Sequence, residues 1–162
     1  MKKNMKKIGY VQGVFDLFHI GHLNLLKNAK SQCDYLIVAV NTDELVEQYK
    51  NKTPIIPLKE RIEIVKAIRY VDKVVIANDR DKIKAFEKYH FDYLMMGDDW
   101  KNTPFYHEYE KKLNAIGVKI IYFPYTKHTS STKLSKVLDE IIYSQSRNKE
   151  ENNDQKIKKT DE

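Results

Sequence analysis

One stretch limits the possible folds of this chain more than any other: residues 8–30 read IGYVQGVFDLFHIGHLNLLKNAK. Residues 8–11 are mostly apolar and predict a short buried strand. A loop then runs to residue 19, and residues 20–30 predict a helix because apolar residues recur at helical spacing. These apolar positions are Leu23, Leu26 and Ala29, with Leu25 beside them. A buried strand that leads through a loop into a helix is the building unit of parallel α/β sheets.

Two histidines, His19 and His22, flank Gly21 in the first turn of this predicted helix. Their spacing places both on one face, where the helix presents backbone N–H groups and the positive end of its dipole. This arrangement favours a phosphate, and Gly21 leaves room for it. A cap or a surface histidine is the ordinary alternative, but the pair with its glycine favours the phosphate site. A zinc site with Cys33 is excluded, because Cys33 would lie roughly 16 Å from His22 at 1.5 Å per helical residue.

Strand-like and helix-like segments alternate along the rest of the chain. Further buried strands are predicted at residues 34–40, 73–77, 92–96 and 118–123, and helices at 44–49, from 58, at 79–90, at 104–116 and from 131. Such alternation predicts a single α/β domain whose five-stranded parallel sheet carries helices on both faces. Ligands of such sheets bind beyond the carboxyl ends of the strands. Three polar segments fall there: residues 13–22, 97–100 and 125–132.

The C-terminal part divides into a helix and a polar tail. Ser131 or Thr132 is the predicted cap of the last helix. Its apolar stripe is expected to face the core and consists of Leu134, Val137, Leu138 and Ile141. From residue 144 to residue 162 the only apolar residue is Ile157, and five basic residues balance five acidic ones. This composition predicts a disordered tail, so the expected organisation is a domain at 1–143 and a tail at 144–162.

Charge and composition narrow the class of partner. The formal net charge is +6, but four lysines lie within the first seven residues, so the remainder carries only a small positive excess. That excess suits an anionic small substrate, and no basic stripe with interleaved aromatic residues indicates nucleic acid. No apolar run has the length of a membrane span, and the basic N-terminus lacks the apolar segment of a secretory signal. A single cysteine cannot form an internal disulfide, so the chain is expected to be cytoplasmic.

The motif GVFDLFHIGH at residues 13–22 resembles the nucleotidyltransferase signature with an H-x-G-H core. The longer run at 13–30, together with GDDW at 97–100 and RYVD at 69–72, is most similar to the bacterial glycerol-3-phosphate cytidylyltransferases. The resemblance extends over about residues 7 to 140. It implies a Rossmann-like fold with strand order 3-2-1-4-5, transfer of a cytidylyl group from CTP, and a homodimer. It also implies Mg²⁺ that is bound mainly through triphosphate and water.

The resemblance also implies roles for particular residues. Transfer at an α-phosphate requires alignment and donors aimed at the growing charge, which His19 and His22 are suited to supply. The nucleotide site is expected to include Gly13, Val14, Phe15, Asp16, Gly21, Gly97, Asp98, Asp99 and Trp100, with Asp16 near the phosphates or the metal. Lys50, Lys52 and Arg61 are expected to hold the acceptor phosphate, and Lys50 and Arg61 to take part in catalysis. Without the resemblance, these residues would be read as an ordinary turn, solvated lysines and a surface arginine.

The last motif departs from the family. Residues 125–132 read YTKHTSST and align with RTEGISTT in the glycerol-3-phosphate cytidylyltransferases, so Thr126, Ser130, Ser131 and Thr132 are expected to contact the nucleotide. Tyr125 stands where the family has an arginine that contacts CTP phosphates, Lys127 where it has glutamate and His128 where it has glycine. Our hypothesis is that Tyr125 and Lys127 together replace that arginine, with Lys127 as a point charge rather than a planar fork.

The sequence therefore predicts an enzyme that joins CTP to a small phosphorylated polyol, with sn-glycerol 3-phosphate first among candidates. The products are a CDP-activated compound for cell-surface polymer synthesis and pyrophosphate. The alternative is the same transfer to another phosphorylated small molecule, or from ATP. The letters HIGH and KLSK at 133–136 also suggest a class I aminoacyl-tRNA synthetase, but the chain has no room for a tRNA-binding domain. A binding-only regulator is disfavoured because both histidines are present.

Overall fold

A five-stranded parallel sheet lies at the centre of the protein, which a computed structural model describes from residue 5 to residue 158. The side chains of Trp100 and of residues 150–158 lie outside that description. The strands are β1 Ile8–Gly13, β2 Tyr35–Asn41, β3 Lys73–Ala77, β4 Tyr93–Gly97 and β5 Lys119–Phe123. Their order is β3-β2-β1-β4-β5, with every neighbouring pair parallel. The predicted α/β class and strand order are confirmed.

Within residues 5–158, six α-helices connect or follow the strands. They are α1 Ile20–Ser31, α2 Asp43–Lys50, α3 Leu58–Lys66, α4 Lys82–Tyr89, α5 Pro104–Ala115 and α6 Ser131–Lys158. The segment Asp98–Trp100, predicted as a turn, forms a short 3-10 helix. The side chain of Thr42 caps α2 and Asn51 ends it in a left-handed conformation, so Lys50 lies in the last turn of α2. The loop that follows therefore spans residues 51–57.

Two apolar layers enclose the sheet, because neighbouring strand residues point to opposite faces. Tyr10 packs with Leu94 and with apolar residues of α4 and α5 on one face. Val11, the next residue of β1, packs with Leu26 of α1 and Val65 of α3 on the other. Helices therefore cover both faces, as predicted. The reversal of strand order beside β1 opens a crevice at the carboxyl ends of β1 and β4, the usual ligand position in such sheets.

The C-terminal helix differs from the prediction. Helix α6 continues to Lys158, whereas the sequence predicted disorder from residue 144; residues 159–162 lie outside the described residues. Residues 144–158 contain neither glycine nor proline, and extending an existing helix costs far less than starting one. The Oγ of Ser130 accepts the N–H of Lys133 at 3.1 Å, so Ser130 caps the helix instead of Ser131 or Thr132.

The apolar stripe of α6 does not face the core. Ser135 is the buried side chain of the first turns, with 3% exposed. The exposed fractions of the predicted stripe are 36% for Leu134, 48% for Val137, 38% for Leu138 and 47% for Ile141. The hydroxyl groups of Ser131 and Ser135 contact the rest of the protein, whereas the apolar side chains stay largely exposed. No helix within residues 5–158 combines the length and the apolarity that a membrane span requires.

Candidate active site

The two histidines cap the first turn of α1 through hydrogen bonds to its backbone. Nδ1 of His19 accepts the N–H of Gly21 at 3.0 Å, and Nδ1 of His22 accepts the N–H of His19 at 3.3 Å. The ring centroids lie 3.9 Å apart, with the ring planes tilted by 32°. The sequence predicted that backbone N–H groups here would be open to a phosphate, but two of them are taken by the imidazoles. The imidazoles themselves therefore become the donors.

The hydrogen bonds fix the tautomer of both rings. Since each Nδ1 accepts a hydrogen bond from a backbone N–H, each neutral ring carries its own proton on Nε2. Burial lowers the pKa of His19. Burial also lowers the pKa of His22 to about 3, and the nearby His19 adds to this effect. Both rings are therefore neutral at pH 7 and can each donate one Nε2–H hydrogen bond.

Aromatic residues of the β1–α1 loop cause the burial of His22. The rings of Phe15 and Phe18 lie 5.4 Å and 5.3 Å from the ring of His22, centroid to centroid. Phe15 is 3% exposed and belongs to the core. Phe15 and Leu17 both have positive φ, at 56° and 48°, which is rare for bulky residues and marks strain at functional loops. The packing of Phe15 holds this loop conformation in place.

Gly21 is required by the position of the His19 ring. A Cβ at Gly21 would lie 2.8 Å from Cε1 and 3.0 Å from Nδ1 of that ring. The same Cβ would lie 3.6 Å from Cβ of Thr126, which reaches α1 from the loop after β5. Any side chain at this position would therefore displace the histidine and narrow the gap between the two segments.

Asp16 connects the β1–α1 loop to two other segments. Its carboxylate accepts the N–H groups of Ile55 and Ile56, each at 2.8 Å, and that of Leu17 at 3.0 Å. Its backbone carbonyl accepts the hydroxyl proton of Ser131 on α6. Asp16 therefore ties together the loop before α1, the 51–57 loop and the start of α6. The predicted role of Asp16 beside a metal stays a prediction, since its oxygens already serve three backbone donors.

Lys50 and Lys52 point into the crevice from the other side. Both line a cavity of about 240 Å³, which we call the first cavity, together with Asp16 and His22. Nζ of Lys52 donates to Oγ of the buried Ser135 at 2.5 Å, so α6 positions this lysine. Burial lowers the pKa of Lys50, and the nearby charge of Arg80 lowers it further. The structure therefore brings both predicted lysines to one cavity with His22.

Arg61 is placed differently from the prediction. Its side chain is fully buried, and it donates to the carbonyl groups of Ile56, Val14 and Asn41 at 2.6–2.9 Å. It also forms an ion pair with Asp43 at 2.5 Å. A surface arginine is thereby excluded, and direct contact with an acceptor phosphate is not part of this geometry. Arg61 instead holds three backbone carbonyls in fixed positions, and that of Val14 belongs to the predicted phosphate-binding loop.

A second cavity of about 340 Å³ adjoins the first. The walls that the two cavities share are formed by His22, Leu25, Lys50, Ser131 and Thr132. The second cavity is also lined by Gln12, His19, Gly21, Gly97, Asp99, Tyr125, Thr126 and Ser130. The three segments predicted to meet at the carboxyl edge of the sheet therefore do meet, with His22 and Lys50 at the junction.

The two weaker motifs contribute unequally. In the GDDW segment, Gly97 and Asp99 line the second cavity, whereas Asp98 is exposed outside both cavities. The side chain of Trp100 lies outside the described residues. In the last motif, Tyr125 lines the second cavity with 54% of its surface exposed. Lys127 is exposed and is not among the described residues that line either cavity, so joint replacement of the family arginine stays a hypothesis.

Sequence reasoning missed a polar chain behind the second cavity. Gln12 of β1 donates to Oδ1 of Asn41 at 2.9 Å and to the carbonyl of Asp79 at 2.8 Å. Asn41 in turn donates to the hydroxyl of Tyr49 at 3.1 Å. The guanidinium carbon of Arg80 lies 4.4 Å from the centre of the Tyr49 ring. The polar residues that end the otherwise apolar strands β1 and β2 were the available signal.

Within residues 5–158, no group of three or more histidine, cysteine, aspartate or glutamate side chains is arranged to hold a metal ion. The donor set near the two cavities provides Asp16 and Asp99 as carboxylates. Such a set fits a Mg²⁺ ion that keeps phosphate and water as its main ligands rather than an all-protein cage. It therefore agrees with the expected mode of binding without showing the ion.

A family model described as cytidylyltransferase-like matches residues 10–143. This chain belongs to the cytidylyltransferase-like family. The match spans all five strands, both predicted histidines and the start of α6. The family predicted from the H-x-G-H motif is therefore confirmed.

Relatives of this family member carry different activities in their names. A FAD synthase from Thermococcus kodakarensis is 36% identical over 148 residues, which are 88% of this chain and 97% of the relative. A glycerol-3-phosphate cytidylyltransferase from Bacillus subtilis is 37% identical over 133 residues, which are 80% of this chain and 95% of the relative. A solved lipopolysaccharide core biosynthesis protein from Thermoplasma volcanium matches with TM-score 0.63 and 26% identity, over 76% of this chain and 99% of that one. The family model and the two named enzymes support a nucleotidyltransferase, and the similarity does not select a substrate.

Proposed function

We propose that this protein transfers a nucleotidyl group, either cytidylyl from CTP or, as the alternative, adenylyl from ATP, to the phosphate of a small phosphorylated molecule. The observation that carries the proposal is the junction of the two cavities at His22 and Lys50. A two-substrate transfer needs two adjoining sites with its charge-stabilising donors between them. The second cavity, beside the H-x-G-H turn and the last motif, takes the nucleotide. The first cavity, beside Lys50 and Lys52, takes the acceptor phosphate.

The residues present suffice for the chemistry of this transfer. An oxygen of the acceptor phosphate forms a bond to the α-phosphorus, and the bond to the pyrophosphate oxygen breaks. The acceptor is already ionised at pH 7, so no general base is required. The Nε2–H groups of His19 and His22 donate to the α-phosphate oxygens, whose charge grows in the transition state. Lys50 adds a positive charge between the two substrates, and Lys52 holds the acceptor.

Arg61 and Asp16 act on the site through the backbone. Arg61 holds the carbonyls of Val14 and Ile56, and Asp16 holds the N–H groups of Ile55 and Ile56. Both therefore fix the loops that carry the substrates, which is a positioning role. Mg²⁺ would enter with the triphosphate near Asp16 and Asp99 and would offset phosphate charge there. A homodimer is proposed on the family resemblance alone.

Two acceptor classes follow from the relatives. The first is sn-glycerol 3-phosphate, which the resemblance of residues 97–100 and the B. subtilis relative favour. A product of this class serves cell-surface polymer synthesis. The second is a flavin phosphate with ATP as donor, because joining an adenylyl group to such a phosphate yields FAD. The specific observation for the second class is an aromatic cavity close to Lys50, described below.

Pyrophosphate release tests the proposal. The purified protein is incubated with CTP or ATP, each paired with sn-glycerol 3-phosphate, FMN and a panel of sugar and polyol phosphates. We expect release only when a triphosphate and a phosphorylated acceptor are both present. Free glycerol and riboflavin serve as matched acceptors without phosphate and should give none. Release no greater than that of the double variant His19→Ala, His22→Ala with every pair would refute nucleotidyl transfer.

A further inference from the structure

A third cavity, of about 590 Å³, lies at the N-terminal ends of α4 and α5. Its walls are formed by Arg80, Asp81, Lys82, Thr103, Phe105, Tyr106 and Tyr109, and we call it the aromatic cavity. The reaction described above uses none of these residues. Phe105 is 67% exposed although it carries a large apolar ring. Such a ring at the edge of a cavity gains most when a ligand covers it.

The walls of the aromatic cavity are held in place. The hydroxyl of Tyr109 accepts the backbone N–H of Lys82 at 2.6 Å and donates to Oδ1 of Asp81 at 3.0 Å. The ring of Phe105 stacks on that of Tyr109 with centroids 5.6 Å apart and an angle of 16°. Tyr106 meets Phe105 edge to face at 5.5 Å. A flat ligand would therefore find a fixed aromatic wall, with little ordering needed on binding.

Positive charge also lines the aromatic cavity, through Arg80 and Lys82. Lys82 is buried, and its Nζ donates to the backbone carbonyl of Arg80 at 2.8 Å. Burial lowers the pKa of Lys82 to about 8, and the charge of Arg80 contributes to this effect. The carboxylate of Asp81 accepts from Tyr109 and from the backbone at Ile83, so it caps α4. The cavity thus combines an aromatic wall with cationic donors.

The aromatic cavity lies within reach of the reaction centre. Nζ of Lys50 is 5.7 Å and the guanidinium carbon of Arg80 is 4.4 Å from the centre of the same Tyr49 ring. These two charges are therefore at most about 10 Å apart. Burial raises the pKa of Tyr106, and the charge of Asp99 adds to this effect. Because Lys50 stands at the junction of the first two cavities, an acceptor whose phosphate lies beside Lys50 can extend past Tyr49 towards the aromatic cavity.

We propose that the aromatic cavity binds the part of the acceptor remote from its phosphate, and that this acceptor is a phosphate monoester with a flat ring. The proposal rests on the proposed nucleotidyl transfer and selects between its two acceptor classes. The ring stacks on Phe105, and its electron-rich edge accepts hydrogen bonds from Arg80 and Lys82. Glycerol 3-phosphate has no ring and leaves this cavity unfilled.

Flavin fluorescence tests the proposal with FMN as the probe. Stacking on an aromatic side chain quenches the flavin, so titration of FMN with the protein yields a Kd. We expect Phe105→Ala to raise this Kd about tenfold, since it removes the stacked ring from an exposed position without opening the core. Ile116→Ala, at the other end of the same helix and also exposed, is the matched control and should change it less than about twofold. Arg80→Lys tests in the same way whether binding needs the planar guanidinium of Arg80 as a donor. Its matched control is Arg69→Lys, because Arg69 lies over the ring of Tyr70 outside the aromatic cavity.

A comparison of acceptors distinguishes failure of the ring site from failure of the proposed transfer. FMN should show a higher kcat/KM than ribose 5-phosphate and glycerol 3-phosphate, and Phe105→Ala should lower the value for FMN alone. A Kd for FMN that Phe105→Ala changes no more than Ile116→Ala does would overturn the proposal. So would a higher kcat/KM for glycerol 3-phosphate than for every ring-bearing monoester. Phe105-dependent binding of FMN without pyrophosphate release from any acceptor supports the ring site and overturns the proposed transfer alone.

Discussion

Replacing His22 by glutamine and by glutamate separates its two hydrogen bonds. His22 occupies the third helical position of α1, where glutamine and glutamate are the usual partners of a capping box. Either side chain can accept the N–H of His19 as Nδ1 of His22 does now. Only glutamine also offers an N–H group to a phosphate. Glutamate keeps the cap, removes the donor and adds a negative charge beside the nucleotide.

The expected loss of turnover in each variant depends on whether it removes the donor, the cap or both. The loss of one transition-state donor costs about 3–4 kcal/mol at comparable sites, which is roughly a hundredfold to a thousandfold in turnover. His22→Glu should reach or exceed this loss, whereas His22→Gln should lose only about tenfold because its donor is longer and more flexible. His22→Ala removes the donor and the cap together. It should lower turnover like glutamate and also lower the melting temperature by a few degrees, since a lost cap costs about 1 kcal/mol.

Steady-state release of pyrophosphate at saturating acceptor gives kcat and the KM for CTP, and circular dichroism gives the melting temperature. His107→Ala, an exposed histidine on α5, is the control and should match the parent in all three. The donor role of Nε2 is wrong if His22→Glu retains turnover within threefold of the parent. Equal turnover in His22→Gln and His22→Ala would show that the ring acts only through its packing against Phe15 and Phe18.

Four further expectations follow from the same contacts. Burial holds the pKa of His22 at about 3, while the ring of the unfolded chain titrates near 6.5. The free energy of unfolding is therefore highest above pH 6.5 and falls as the pH is lowered. Urea melts at pH 5 should show a loss of about 2 kcal/mol in the parent that His22→Gln lacks. Alanine at both Lys50 and Lys52 should raise the KM of the acceptor and spare that of CTP. Lys127→Ala should change the Kd of CTP by less than about threefold in isothermal titration, because its side chain is exposed outside both cavities; clear weakening would instead support joint replacement of the family arginine. Deleting residues 144–162 should leave turnover and melting temperature nearly unchanged, and a large fall in either would show that the segment docks.

The position of the site could be predicted from the sequence because it depends only on the alternation of strands and helices along the chain. Strand-like and helix-like runs fix a parallel sheet, and a parallel sheet fixes the edge at which loops carry ligands. The histidines and Gly21 were identified by residue type and spacing, whereas the two lysines were identified by the family resemblance. The order of the strands required the family resemblance, because alternation does not state which strands are neighbours.

What the sequence did not show was the direction of individual side chains. Arg61 looked like a substrate ligand, yet it is buried and bound to carbonyl groups, because a charged residue inside a helix gives no sign of which loops will cover it. Phe15 is a second such case, because it lies in the loop predicted to bind the nucleotide while its side chain packs in the core. The apolar stripe of α6 was expected to be buried, but periodicity identifies an apolar face without saying what covers it. The polar chain through Gln12 was hidden because its members lie on three separate elements.

Asp16 holds the 51–57 loop by two consecutive backbone N–H groups, those of Ile55 and Ile56, and not by their side chains. Every amino acid except proline supplies such a group, so the loop can change its side chains while its attachment point stays the same. The hydroxyl of Ser135 on α6 positions Lys52 from outside the loop. The loop can therefore exchange side chains during evolution while the backbone that Asp16 anchors beside the reaction centre keeps its geometry.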